Sequence, residues 1–206
     1  MKKIFLRLVG TRRNYYRSYY DRIFTQYNDT SSYLLLYNKY TATSTIKTDV
    51  EICFSKALKF GCSVLEVKNK LHKPNYQIRQ NESLCTEILL YRIFIGKHKV
   101  RCQMHFYKDR LFLYNYTFSY VNKFETKEII NVIKEKYVSD IGIHAEQNII
   151  DKFNNCLQIE DDVRLTINYL SLNSDFFNEI TLRSFQKGER RTRKNDAEFT
   201  DLYNRI

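Results

Sequence analysis

Apolar residues fall at helical spacing in residues 12–27, where Tyr16, Tyr19, Tyr20, Ile23, Phe24 and Tyr27 recur every three or four positions with Arg and Asn between them. This pattern predicts an amphipathic, Arg-studded N-terminal helix. A polar break at 28–32 precedes the patch Tyr33-Leu34-Leu35-Leu36-Tyr37, whose period does not separate helix from strand. Residues 41–49, rich in Thr and Ser, read as linker and suggest a boundary near residue 45. The next start signal is sharper. Ser63-Val64-Leu65-Glu66 forms a capping box, in which the Ser63 hydroxyl accepts from the Glu66 backbone N–H while the Glu66 carboxylate reaches back. Val64, Val67 and Leu71 line one face of the helix that follows, and Pro74 stops it.

Beyond Pro74 the period changes to two. Residues 88–95 are apolar on both faces apart from Arg92, and Gly96-Lys97-His98-Lys99 turns the chain. Val100, Cys102, Met104 and Phe106 then alternate with Arg101, Gln103, His105 and Tyr107, as in a half-buried strand. Lys108-Asp109-Arg110 turns it again, and residues 111–120 form a third strand dense in Tyr and Phe, so residues 84–120 read as an antiparallel meander. Helical spacing returns over 125–137, with Ile129, Ile130, Ile133 and Tyr137 on one face. Two or three short strands are expected between 148 and 169 and a helix over 175–186. The expected fold class is α+β: an antiparallel sheet meander packed by helices, with an N-terminal amphipathic helix. The chain divides into a basic Tyr/Arg-rich helical segment (1–45), an α+β core (46–186) and a basic polar tail (187–206). The core holds no Pro- or Gly-rich linker, which favours one extended sheet over two subdomains at 46–122 and 123–186.

One stretch carries a resemblance. Lys59-Phe60-Gly61-Cys62-Ser63, Glu66-Val67 and Leu71-His72-Lys73-Pro74 are followed by a strand containing Leu90-Tyr91, a turn, and residues 105–111. In order and spacing this resembles the SmpA/BamE-like module, a helix ahead of a three-stranded antiparallel sheet, over about residues 58–120. His72 stands where that family has Gly. The resemblance implies a non-enzymatic unit that binds protein; the family's lipid-anchored N-terminus has no counterpart here.

Charge alters the picture most at the ends. The formal net charge is +11, of which residues 1–22 contribute +6 and residues 183–194 contribute +5, so the rest of the chain is balanced. An acidic partner would meet those two segments. The five cysteines are odd in number and widely spaced with no C-x-x-C, which suits reduced thiols in a cytoplasmic protein. The first six residues imitate a signal peptide until Arg7 interrupts the apolar run.

Candidate chemistry is sparse. Cys102 and His105 make a C-x-x-H pair, but spacing of three on a strand turns the two side chains to opposite faces. His144 with Glu146 could pair on a strand face, and Asp161-Asp162 lacks the remaining ligands of a calcium loop. No catalytic residue, metal or cofactor is assigned. The basic ends interleave guanidinium groups with rings that suit single-stranded nucleic acid. The candidates there are Arg12, Arg13, Tyr16, Arg17, Tyr20 and Arg22, with Lys187, Arg190, Arg191, Arg193 and Lys194 in the tail. The third strand offers Phe112, Tyr114, Tyr116, Phe118 and Tyr120 as an aromatic surface if helices cover one side of the sheet only. The leading expectation is therefore a non-enzymatic protein-interaction module. The alternative is a protein that binds RNA or single-stranded DNA through its ends, and an anionic membrane surface is a third partner for the same N-terminal helix.

Overall fold

A computed structural model describes residues 19–79, 84–138 and 147–185. Eight strands form one sheet: β1 (Thr45–Thr48), β2 (Tyr76–Arg79), β3 (Thr86–Ile95), β4 (His98–Tyr107), β5 (Arg110–Phe118), β6 (Asn148–Asp151), β7 (Asn155–Asp161) and β8 (Leu165–Ser171). Their order across the sheet is β1-β6-β7-β8-β5-β4-β3-β2. All neighbours are antiparallel except β1 and β6, which run parallel. The helices are α1 (residues 19–26), α2 (Ser31–Ala42), α3 (Val64–Leu71), α4 (Lys123–Tyr137) and α5 (residues 175–185). The fold is mixed α+β. Among the described residues no helix is long and apolar enough to cross a membrane.

Helices cover both faces of the sheet, so the condition under which the third strand's rings would stay exposed, one-sided packing, is not met. On one face Val67 of α3 and Ile130, Ile133 and Tyr137 of α4 share a core with Leu89, Met104 and Tyr114 of the sheet. On the other, Ile23 of α1, Tyr27 in the turn after it, Tyr33 of α2 and Phe176, Phe177 and Ile180 of α5 pack on Ile88, Phe112, Leu113 and Leu170. The consequence is plainest at β4, expected to be half-buried. Its residues from Cys102 to Tyr107 are all buried, because α3 and α4 lie over one side chain row and α1, α2 and α5 over the next.

Local chemistry fixes the element ends. At α3 both bonds of the Ser63–Glu66 capping box are made, and α4 starts with a second one, Asn122 with Glu125. His72 ends α3 with φ +61°, a conformation that glycine adopts without strain. The ambiguous patch at 33–37 lies in α2, where Tyr33 is fully buried. The Thr-rich stretch at 41–49 supplies β1, held by its parallel pairing with β6. Asp151, buried at the end of β6, ties this region together. It accepts hydrogen bonds from the backbone N–H groups of Ile52 (2.8 Å), Phe153 (2.8 Å) and Asn155 (2.9 Å) and from the Asn155 side chain (3.1 Å).

Candidate functional site

The five aromatic residues of the third strand do not make one surface. Spaced by two, they would share a face of a regular strand, but β5 carries a bulge. His105 pairs with Leu113 and Phe106 with Leu111, so Phe112 is the extra residue and its ring swings to the opposite face. There it is buried, 4.3 Å from the Phe176 ring and 5.7 Å from Phe177. Tyr114 and Phe118 are buried on the α4 side, Tyr116 is half-buried, and Tyr120 alone is fully open to solvent, at 98%. The expected aromatic surface is thus corrected to one exposed ring and a set of covered ones.

Three of the covered rings nevertheless converge. Tyr114, Tyr116 and Phe118 line a cleft of about 680 Å³ between the sheet and α4, with Phe54, Tyr137 and Tyr169 also in its walls. Tyr114 stacks on Tyr169 at 4.4 Å, Tyr116 meets the same ring edge-on at 5.6 Å, and the Tyr114 hydroxyl has no hydrogen-bond partner. Ile95 of β3 and Val132 of α4, which is 64% exposed, also line the cleft. Burial pushes the Tyr114, Tyr116 and Tyr169 hydroxyls well above the ordinary phenol range. Burial, followed by the nearby Glu51, also raises the Cys53 thiol on the cleft wall. Groups held neutral in this way bind apolar and aromatic matter and are poor acids and nucleophiles at neutral pH.

Of the basic candidates, Tyr20 and Arg22 fall in the described part of α1. Arg12, Arg13, Tyr16 and Arg17 lie outside the described residues, as do Lys187, Arg190, Arg191, Arg193 and Lys194. Tyr20 stacks face to face on Tyr76 of β2 at 4.1 Å and meets an Arg92 guanidinium nitrogen through its hydroxyl at 3.5 Å. Beside it, Arg101 lies 4.2 Å over the Tyr19 ring and Arg22 lies 6.0 Å from the same centroid. Three guanidinium groups and three tyrosines therefore meet where α1 crosses β2, β3 and β4.

The histidines separate as well. Cys102 packs in the core under α4, whereas His105 sits on the opposite face within 3.0 Å of the Tyr33 hydroxyl. Burial pushes the His105 imidazole down to about 3, so it is neutral and donates or accepts a single bond through Nδ1. His144 and Glu146 lie outside the described residues. Among the described residues no three His, Cys, Asp or Glu side chains are grouped to hold a metal ion.

Sequence reasoning missed a row of carboxamides. Gln103, Asn115, Asn168 and Gln158 are direct cross-strand neighbours on β4, β5, β8 and β7, and all four are buried. Each is flanked by apolar residues in its own strand, and only the pairing of β8 with β5, outside chain order, lines them up. No family model, curated protein or solved structure matches the chain.

Proposed function

We propose that the protein is a non-enzymatic interaction module that takes an apolar or aromatic side chain of a protein partner into the cleft between α4 and the sheet. The observation that carries this reading is the cleft itself, about 680 Å³ walled by tyrosine rings and bordered by solvent-exposed Val132. Packed aromatic walls that exclude water are where binding energy concentrates in protein interfaces. A further exposed apolar residue, Phe124, lies on α4, which borders the cleft. The likeness of residues 58–120 to SmpA/BamE-like modules, which act as interaction units, supports the same reading, and free thiols at all five cysteines suit a cytoplasmic setting.

Affinity capture of the tagged full-length chain, with and without nuclease, tests this when run beside Val132→Arg. The exposed position leaves folding intact while placing a charge at the cleft. A captured protein that resists nuclease and is lost with the variant is the expected result. Capture that the variant does not change, and that nuclease abolishes, overturns it.

The second reading is binding of RNA or single-stranded DNA, favoured by the Arg22, Arg92 and Arg101 cluster on the tyrosines of α1. The helices that adjoin the two basic ends in sequence, α1 and α5, both pack on that same face of the sheet. Guanidinium groups among stacked rings serve phosphates and bases together.

A further inference from the structure

The face opposite the cleft carries a second cavity, of about 960 Å³, between α1, α2 and the middle of the sheet. Gln103, Asn115 and Asn168 of the carboxamide row form its floor. Neighbouring strands lie about 4.8 Å apart, so the four amides extend over roughly 14 Å. The row is tied down only at its ends. Gln103 donates to the Tyr19 hydroxyl of α1 at 3.3 Å, and Gln158 donates to the Leu36 carbonyl of α2 at 3.2 Å. In the middle, the Asn115 carbonyl oxygen and the Asn168 amide nitrogen have no partner, and neither do the Gln103 and Gln158 carbonyl oxygens. Asn115 is 3% exposed and Asn168 2%, so each is a desolvated group whose bond is left unmade.

The same cavity holds an unanswered positive charge. Arg101 lies two residues before Gln103 on β4, about 7 Å along the strand. One of its terminal guanidinium nitrogens is buried without an acceptor. Arg22 and Arg164 add two more guanidinium groups to the lining. Against these stand Glu160, which Lys39 neutralises at 2.9 Å, and Asp162.

From this arrangement we infer that the cavity is a nucleotide site: the carboxamides of Asn115 and Asn168 read the edge of a nucleobase while Arg101, with Arg22, holds the phosphate. A base edge presents a donor beside an acceptor, the complement of a carbonyl oxygen beside an amide nitrogen, and Asn and Gln meet bases in this way. A guanidinium gives its strongest bonds to phosphate or carboxylate oxygens. The spacing between the arginine and the amide row is one that a ribose bridges. A neutral sugar would answer the floor and leave the buried Arg101 nitrogen without an acceptor; free phosphate would answer Arg101 and leave the floor unpaired. The site is independent of the aromatic cleft, from which the sheet separates it.

Calorimetric titration of the full chain with AMP, GMP, CMP and UMP, and with adenosine, inorganic phosphate and maltose, tests the inference. At least one nucleotide binds with a dissociation constant below about 1 mM, and adenosine and phosphate each bind at least about tenfold more weakly. Asn115→Leu and Asn168→Leu abolish this binding without lowering the unfolding temperature, because each removes an amide that the empty protein leaves unpaired. Arg101→Met weakens binding of the nucleotide and leaves that of adenosine unchanged. The inference is overturned if no nucleotide binds, if phosphate or maltose binds as tightly as the best nucleotide, or if the leucine variants unfold earlier, which would make the amides structural. Val132→Arg leaves nucleotide binding intact, so failure of the cleft reading and failure of this one are read separately.

Discussion

His105 shows how much one buried side chain commits the molecule to. It is fully enclosed, with the Tyr27 ring edge-on at 4.5 Å and the Tyr33 hydroxyl at 3.0 Å, and desolvation pushes its pKa from 6.5 down to about 3. In the unfolded chain the imidazole takes up a proton near pH 6.5, whereas the folded protein refuses it until about pH 3. Stability from this site is therefore complete above about pH 6.5 and is lost as pH falls toward about 3, at up to about 1.4 kcal/mol per pH unit. The variant His105→Asn keeps a polar partner for Tyr33 and removes the titration. Urea unfolding of both proteins at about pH 7.5 and about pH 4.5 should show the wild type losing about 2 to 3 kcal/mol more than the variant over that interval. Parallel losses would mean that the imidazole is charged, or hydrated, in the folded state.

Among the elements, α4 matters most to the cleft because it supplies one whole wall, and its position depends on its first turn. Asn122 caps the Glu125 backbone N–H at 2.9 Å, and the Glu125 carboxylate returns a bond to Asn122 and pairs with Lys97 of the β3–β4 turn at 3.2 Å. Asn122→Ala should destabilise the protein by about 1 kcal/mol in urea unfolding, and Asn122→Ser by much less, since serine caps nearly as well. Such start signals are legible in sequence because they are local: Ser63 and Glu66 are three residues apart, and Gly96-Lys97 turns the chain wherever the strands end up. The bulge at Phe112 is not local, because it exists only relative to the β4 partner, and it sends that ring to the face opposite Tyr114. The parallel pairing of β1 with β6 joins residues about a hundred positions apart and leaves no periodic mark in a four-residue polar strand. The candidate site is legible to the same degree. The rings of β5 stand out in the chain, while Tyr137 and Tyr169, which close the cleft around them, come from elements whose neighbourhood only the folded topology sets.

At the scale of the whole molecule the charge and the two cavities fall into one arrangement. The +11 arises from residues 1–22 and 183–194, and the helices that these segments adjoin, α1 and α5, lie on the face of the carboxamide row, away from the aromatic cleft. On the two proposals anionic ligands meet one face and apolar side chains the other, so electrostatic changes to the ends should act on the first without touching the second. Salt dependence separates them. For a single-stranded oligonucleotide, each phosphate contact adds about 0.7 to the fall of log K with log salt. Replacing Arg12, Arg13 and Arg17 together by Gln should therefore lower that slope by about 2, weaken binding across all sequences alike, and leave capture of a protein partner at Val132 unchanged. Fluorescence anisotropy between about 50 and about 200 mM salt measures the slope directly. An unaltered slope would remove those arginines from the phosphate contacts, and absence of binding at the lowest salt would leave the N-terminal charge with no polynucleotide role, confining any anion to the arginines that α1 and β4 bring together.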